Sequence, residues 1–370
     1  MGVADLADYP WDAVAPYAER ANAHPDGIVD LSIGSPVDPT PTLVADALAA
    51  GTDAHAYPQT MGTPALRAAI ADWYARRRAV PGLTPDNVLP TVGSKELVAL
   101  LPLLLDLGPG DVVVHPRAAY PTYDVGARLV GATPFAADDP AEWPVGTRLV
   151  WLNSPGNPDG RVRDAASLRA AVDRARELGA VIASDECYAE LGWDAPWDAE
   201  PIPSVLDPRV TDGDLDGILS VYSLSKQSNL AGYRAAFLAG DPALVGRLLT
   251  GRKHLGLMLP APVQRAMAAA LADDAHVEAQ KDRYRARRDV LKPAVEAAGF
   301  RVDGSEAGLY LWATEGRDAW ESVGRLADLG ILAGPGHFYG THFPQHIRLS
   351  LTATDERIAA AADRLRAATV

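Results

Sequence analysis

Lys226 stands in the run Ser223-Leu224-Ser225-Lys226, and Arg234 follows eight residues later. An amine beside two hydroxyls, with a guanidinium a short loop away, suits a phosphorylated aldehyde held as a Schiff base. The lysine forms the covalent link, while Ser223, Ser225 and Arg234 supply charge-assisted hydrogen bonds to the phosphate. The run follows Ile218-Leu219-Ser220-Val221-Tyr222, so the lysine falls just past the end of a buried strand. Taken alone, the segment reads equally as a strand followed by a solvated lysine.

Other residues with chemical potential lie earlier, and each also has an ordinary structural reading. Gly93-Ser94 precedes the apolar run Leu97 to Leu107 and forms either a phosphate cup at a helix N-terminus or a common helix cap. Tyr120, beyond the apolar run Asp111 to His115, stacks on an aromatic ring or simply packs. Asn157 lies in Asn153-Ser154-Pro155-Gly156-Asn157-Pro158-Asp159-Gly160, a turn-rich loop after the strand Arg148 to Leu152. Carboxyl ends of strands are where α/β sheets place ligands. Asp185, with Tyr188 three residues on, ends a strand from Val181, and an acid buried there needs a cationic partner. Gly34 ends the run Ile28 to Ile33, where it permits close approach of a ligand or makes a plain turn.

The elements that must position these groups alternate in type. Thr63 is a natural N-cap and Pro64 a natural first residue for a helix to about Arg78. A helix from about Asp164 to Leu178 ends at Gly179, and a strand near Ala235 to Ala239 follows the lysine. This order predicts an α/β fold with a large, doubly wound, mostly parallel sheet. Such a sheet gathers Gly93, Ser94, Tyr120, Asn157, Asp185, Tyr188, Lys226 and Arg234 at one edge. After Pro242 helices dominate to about Ala298. Short strand signals near Phe300, Leu309, Ile331 and Ile347, and a helix opening at Asp355, then predict a smaller α+β unit.

The 370 residues are 48% apolar and 22% charged, an ordinary soluble composition. A formal net charge of −14 argues against nucleic acid or an anionic membrane as the main partner. Cys187 is the single cysteine, which excludes an internal disulfide framework. Met1 to Trp11 lacks a basic region followed by an apolar core, and Leu97 to Leu107 is interrupted by Pro102 and too short to span a bilayer. The histidines show no metal-ligand spacing, since Pro344 separates His342 from His346. A cytoplasmic protein acting on small molecules is the expectation.

Over nearly its whole length the chain resembles the fold-type I pyridoxal-phosphate aminotransferases, class I/II. The motifs are Tyr57…Gly62…Leu66-Arg67, Gly93-Ser94-Lys95-Glu96, Asn157-Pro158-x-Gly160, Asp185-Glu186-x-Tyr188, Ser223-x-Ser225-Lys226, Gly232-x-Arg234 and the late Arg348. The resemblance implies a seven-stranded domain over residues 41–245, a small α+β domain over 246–370, and over 1–40 an arm and part of the small domain. It implies that Lys226 carries pyridoxal 5'-phosphate and shuttles the substrate proton, and that Asp185 pairs with the pyridine nitrogen. Asn157 and Tyr188 would bond the ring 3-oxygen and Tyr120 would stack on its face. Gly93, Ser94, Lys95, Ser223 and Arg234 would hold the phosphate. Tyr57 would reach the phosphate of a second subunit, implying a homodimer with shared active sites. Arg348 would clamp the substrate α-carboxylate, with Gly34 and Asn157 beside it. Asp159 departs from the family's threonine in the Asn-Pro-Thr-Gly loop, but Asn157 is intact.

A narrower resemblance rests on Tyr57 to Pro64, Asp185 to Tyr188, Ser223 to Arg234, Glu306 to Trp312 and Ala333 to Gly340. These segments look like those of actinobacterial N-succinyldiaminopimelate aminotransferases, which implies glutamate as amino donor and 2-oxoglutarate as product. The alternatives are another glutamate-, aspartate- or alanine-using aminotransferase, a carbon–sulfur β-lyase of the same fold, or a non-catalytic module that kept it. Intact Lys226, Asp185 and Arg348 argue against the last. Arg117, Lys253 and His337 are loop candidates for reading distal carboxylates, or else solvated surface charge.

Overall fold

The computed structural model describes residues 9–368, so the first eight residues of the expected arm lie outside the described residues. Strand β1 is Val29–Asp30. Seven strands then build one sheet: β2 Val88–Val92, β3 Val112–His115, β4 Thr133–Ala136, β5 Thr147–Asn153, β6 Val181–Asp185, β7 Ile218–Ser223 and β8 Ala235–Gly240. Their spatial order is β2-β8-β7-β6-β5-β3-β4. β8 is antiparallel to both neighbours and the other pairings are parallel.

These strands read as continuous apolar runs because both faces of the sheet are covered. Consecutive residues part company: Val113, Leu149, Val221 and Leu238 pack into one core, and Val114, Val150, Tyr222 and Phe237 into the other. Parallel strands require crossovers, which helices Ser94–Leu104, Thr122–Leu129 and Ala165–Leu178 help supply. The edge strand β4 gave no sequence signal, since Pro134 and its half-exposed pattern disguise it.

Local chemistry sets the helix ends. Thr63 Oγ1 accepts the Leu66 N–H at 3.2 Å to open helix Pro64–Arg77. Asp164 Oδ1 accepts the Ser167 N–H at 2.8 Å, and that helix stops where Gly179 turns left-handed, at φ 65°.

The later residues form a second layer system. β9 Arg301–Val302, β10 Tyr310–Thr314, β12 Gly334–Pro335 and β13 His346–Ser350 make an antiparallel sheet in the order β12-β13-β10-β9. β1 pairs in parallel with β11, Ile331–Leu332, drawing the N-terminal segment onto this unit. Helices Ala275–Ala297 and Asp355–Ala367 cover it through Tyr284, Leu291, Ile358 and Leu365. Trp312 is paired with Arg348 and Tyr310 with Ser350, so Tyr310 and Arg348 are diagonal neighbours on one face. Among the described residues no helix is long and apolar enough to cross a membrane.

Candidate active site

The carboxyl ends of β2, β3, β5, β6 and β7 open on a cavity of about 900 Å³ between the two units. Its walls include Ser94, Lys95, Tyr120, Asn157, Asp185, Tyr188, Ser223, Lys226, Arg234, Gly34 and Arg348, separated by up to 314 positions in sequence. Gly93 immediately precedes the helix beginning at Ser94.

Lys226 sits on the single-turn helix Leu224–Gln227 directly after β7. Its ammonium donates to the Gly34 carbonyl oxygen. Burial pushes its pKa below the ordinary value, with Arg348 and Arg234 acting in the same direction. Asp185 closes β6, where burial raises its pKa. Tyr123 OH donates to its Oδ2 at 2.9 Å and the Cys187 N–H to its Oδ1 at 3.2 Å. The next residue, Glu186, is locked by a fully buried ion pair with Arg78 at 3.1 Å and by the Val205 N–H at 2.7 Å. This anchorage holds the strand end rigid.

Gly93 has φ 78° and precedes the helix N-terminus. A Cβ there would stand 2.1 Å from an Arg234 nitrogen, so glycine is what lets the guanidinium lie against the helix end. Among the described residues Arg234 has no carboxylate partner and donates at 3.0 Å to the Ala231 carbonyl. Ser223 and Ser225 complete the niche, with their hydroxyls 2.7 Å apart. Exposed backbone amides, hydroxyls and an unpaired guanidinium make a cradle for a dianionic phosphate.

Arg348 is buried, and its Nη1 donates to Asn157 Oδ1 at 2.9 Å while Nη2 donates to the Ser32 carbonyl at 2.6 Å. Its Nε is buried without a hydrogen-bond partner among the described residues. Tyr188 OH lies 3.3 Å from Tyr310 OH. Burial opposes ionisation of Tyr310, but neighbouring Arg348 and Lys226 outweigh it and draw its hydroxyl below the ordinary value. Burial pushes Tyr120 up to about 12, keeping it a neutral ring.

Lys95 Nζ stands 5.3 Å from the Tyr9 ring centroid and 6.0 Å from that of Tyr120, and among the described residues it has no acidic partner. Burial lowers its pKa, followed by Arg234. Tyr57 is elsewhere: it is 93% exposed and lies outside this chain's cavity. The loop candidates Arg117, Lys253 and His337 also fail to line it. Arg117 is bound to Glu142 at 2.7 Å and His337 faces Asp318 at 3.3 Å, while Lys253 is exposed in the last turn of helix Pro242–Leu255.

Several residues in or behind the cavity wall escaped the sequence reading. Trp11 and Ile33 come from the N-terminal segment, Tyr123 supports Asp185, and Tyr310 joins the two tyrosines to Arg348. Asn153 ties the loop to the sheet, its Nδ2 donating to the Asp185 carbonyl at 2.9 Å and its Oδ1 accepting the Asn157 N–H at 2.8 Å. Departure of Asp159 from threonine is absorbed locally, since Asp159 Oδ1 accepts the Arg161 N–H at 3.3 Å.

The chemistry of this donor set fits pyridoxal 5'-phosphate: an amine, a buried carboxylate opposite it, an aromatic wall and a phosphate cradle. Fold and site together define a pyridoxal-phosphate-dependent enzyme of fold type I. The chain belongs to the class I and II aminotransferases, whose family model matches residues 26–365. It is 58% identical over 364 residues to a 4-dedimethylamino-4-oxo-anhydrotetracycline transaminase from Streptomyces rimosus, covering 98% of this chain and 99% of that one. It is 54% identical over 363 residues to a probable aminotransferase from Mycobacterium tuberculosis, covering 98% and 86%. A solved structure of a probable N-succinyldiaminopimelate aminotransferase from Thermus thermophilus superposes with a TM-score of 0.87 at 28% identity, covering 97% and 100%.

Proposed function

We propose that the chain transfers the amino group of glutamate to the keto precursor of N-succinyl-LL-diaminopimelate. The observation that carries the reading is the excess of cationic groups in one cavity: Lys95, Lys226, Arg234 and Arg348 line it, and among the described residues none is paired with an acid. Arg234 and the helix beginning at Ser94 take the phosphate and Arg348 takes the α-carboxylate, so that Lys95, expected from the resemblance at the phosphate, is assigned instead to a distal carboxylate. The Thermus neighbour's name and the segments quoted above support the choice of partner substrate.

When bound, pyridoxal phosphate supplies an electron sink for the bond broken at the amino acid's Cα. Lys226 Nζ, its pKa depressed, would take the proton from Cα and pass it to C4′ of the bound cofactor, and would move it in the reverse direction on the other leg of the exchange. Asp185 would pair with the ring nitrogen of the bound cofactor and keep it protonated, and Tyr123 keeps that carboxylate aimed. Arg348 and the side-chain amide of Asn157 orient the α-carboxylate, which fixes which Cα bond faces Lys226. Tyr188 would bond the ring oxygen, and Tyr120 would cover one face against water. Residues 41–245 form the cofactor-binding domain and 246–370 the small domain, with 1–40 serving as an arm and as part of the small domain. Tyr57, exposed in the single chain, reaches the phosphate site of a second copy.

A second reading has its own observation. Trp11, Ile33, Tyr120 and Val125 present apolar walls, and Arg128, on the same cavity, is engaged by Asp124 at 2.5 Å. Such walls suit a bulky ketone, in keeping with the name of the Streptomyces rimosus relative. A single-turnover spectral titration separates the readings. Glutamate, N-succinyl-LL-diaminopimelate, alanine, aspartate and cystathionine are added one at a time to the cofactor-loaded protein. Conversion of the cofactor to its amine form by the first two supports the proposal. Conversion by glutamate alone moves the partner substrate to a larger ketone, and pyruvate release from cystathionine without a keto acid identifies a lyase.

A further inference from the structure

The turn that carries Lys226 is too short to hold itself. Leu224–Gln227 spans four residues, and one helical turn has no independent stability in water. Its aim depends on what grips its ends. At the start, Ser223 Oγ accepts the Ser225 N–H at 3.1 Å. At the end stands Ser228, fully buried, with its Oγ 2.7 Å from His276 Nε2. His276 Nδ1 lies 2.7 Å from Asp273 Oδ2, which also accepts the His276 N–H at 2.9 Å. A ring nitrogen facing a carboxylate carries the proton, so the hydrogen-bond network assigns Nε2 as acceptor of the Ser228 hydroxyl. Gln227 Nε2 donates to the same Oγ at 3.3 Å.

A second grip lies one helical turn further on. Gln280 Oε1 accepts from Asn229 Nδ2 at 2.9 Å, and Gln280 Nε2 donates to Asp38 Oδ2 at 2.8 Å. Asp38 is clamped in turn by Arg287, at 2.8 and 2.6 Å. His276, Gln280 and Arg287 all belong to helix Ala275–Ala297. Tyr284 and Leu291 of that helix pack in the core that also holds Leu349, next to Arg348. One helix therefore touches both the turn of the reacting amine and the unit of the carboxylate clamp.

We propose that His276 is a positioning residue for Lys226: through Ser228 it fixes the lysine turn, and through its helix it sets that turn relative to the Arg348 sheet. Ser, His and Asp here resemble a hydrolytic triad in order of contact, but the buried serine admits no substrate. The relay orients rather than attacks. The inference rests on Lys226 being the reacting amine.

The test compares His276→Ala, His276→Asn, His276→Gln and Ser228→Ala in the cofactor-loaded enzyme by single-turnover reaction with glutamate. Glutamine places its amide where Nε2 stood and keeps the Ser228 bond; asparagine reaches only Asp273. Loss of the relay is expected to slow the single-turnover rate about 10- to 100-fold, with less than about threefold change in glutamate dissociation constant. His276→Ala, His276→Asn and Ser228→Ala show the loss, and His276→Gln recovers most of the rate. In the unloaded chain, incorporation of pyridoxal phosphate at Lys226, trapped with borohydride and read by peptide mass, slows in the same three variants. Should the His276 variants fail to fold, Ser228→Ala, which removes one hydroxyl, carries both readouts. Equal behaviour of His276→Asn and His276→Gln, or wild-type rates in Ser228→Ala, overturns the proposal. Absence of glutamate turnover in the wild type would instead sink the reading of glutamate as donor, and absence of the borohydride-trapped label from Lys226 would sink the reading of Lys226 itself.

Discussion

The guanidinium carbon of Arg348 sits 3.9 Å from the centroid of the Tyr310 ring. The cation is thus held by an aromatic face below and by Asn157 Oδ1 beside it, in a buried site. Register explains the contact, because Tyr310 and Arg348 lie diagonally across β10 and β13. Replacing Arg348 by lysine keeps the charge but loses the planar fork and the stacking. Arg348→Lys is expected to lower kcat/KM for glutamate about 100-fold, given about 1.5–3 kcal/mol per charged hydrogen bond. Steady-state kinetics check this, and the cofactor's absorbance should be retained.

Lys226 shapes stability as well as chemistry. Its pKa in the folded chain lies below the ordinary 10.5, so between those two values the unfolded state binds more protons and wild-type stability rises with pH. Below the folded pKa the buried charge is a full liability. Cofactor-free Lys226→Met should therefore be more stable than cofactor-free wild type at low pH, the gap narrowing as pH rises toward 10.5. Urea unfolding of both proteins across that range measures it; a gap independent of pH would contradict the claim.

Lys95 offers the test of side-chain recognition. Its ammonium faces Tyr9 and Tyr120 in the cavity and, among the described residues, has no acid to neutralise it. Lys95→Met should raise the KM for glutamate about tenfold, in line with one lost charge-assisted bond, and leave alanine unaffected. Equal changes for both amino acids would mean that Lys95 serves the phosphate alone.

Gly93→Ala addresses the phosphate cradle. The added Cβ meets the Arg234 side chain at 2.1 Å, and φ 78° is unfavourable for alanine. Displacement of Arg234 should weaken pyridoxal phosphate binding at least about tenfold, as loss of one charged hydrogen bond predicts. Equilibrium dialysis of the cofactor gives the constant directly.

Much of this site was legible because its groups follow strands. Lys226, Asp185 and Asn157 each end an apolar run, and a doubly wound sheet brings such ends together whatever their separation in sequence. Arg348 was legible only through resemblance, since nothing in Ile347-Arg348-Leu349 marks it as a clamp. Tyr310 and Tyr123 carry no local signal: one is a strand residue and the other a helix residue, and only tertiary packing aims them inward. His276 is invisible for the same reason, 50 residues from Lys226. Arg117, Lys253 and His337 do not line the cavity: Lys253 lies on a helix and not in a loop, and the other two face acids of their own.

The most direct test of the account is to locate the cofactor. The loaded protein is reduced with borohydride, digested, and its peptides are weighed by mass spectrometry. The added mass of reduced pyridoxal phosphate on the peptide containing Lys226, and its loss in Lys226→Ala, is the predicted result. Label on Lys95 or another lysine, with Lys226 unmodified, would contradict the assignment on which every role given above depends.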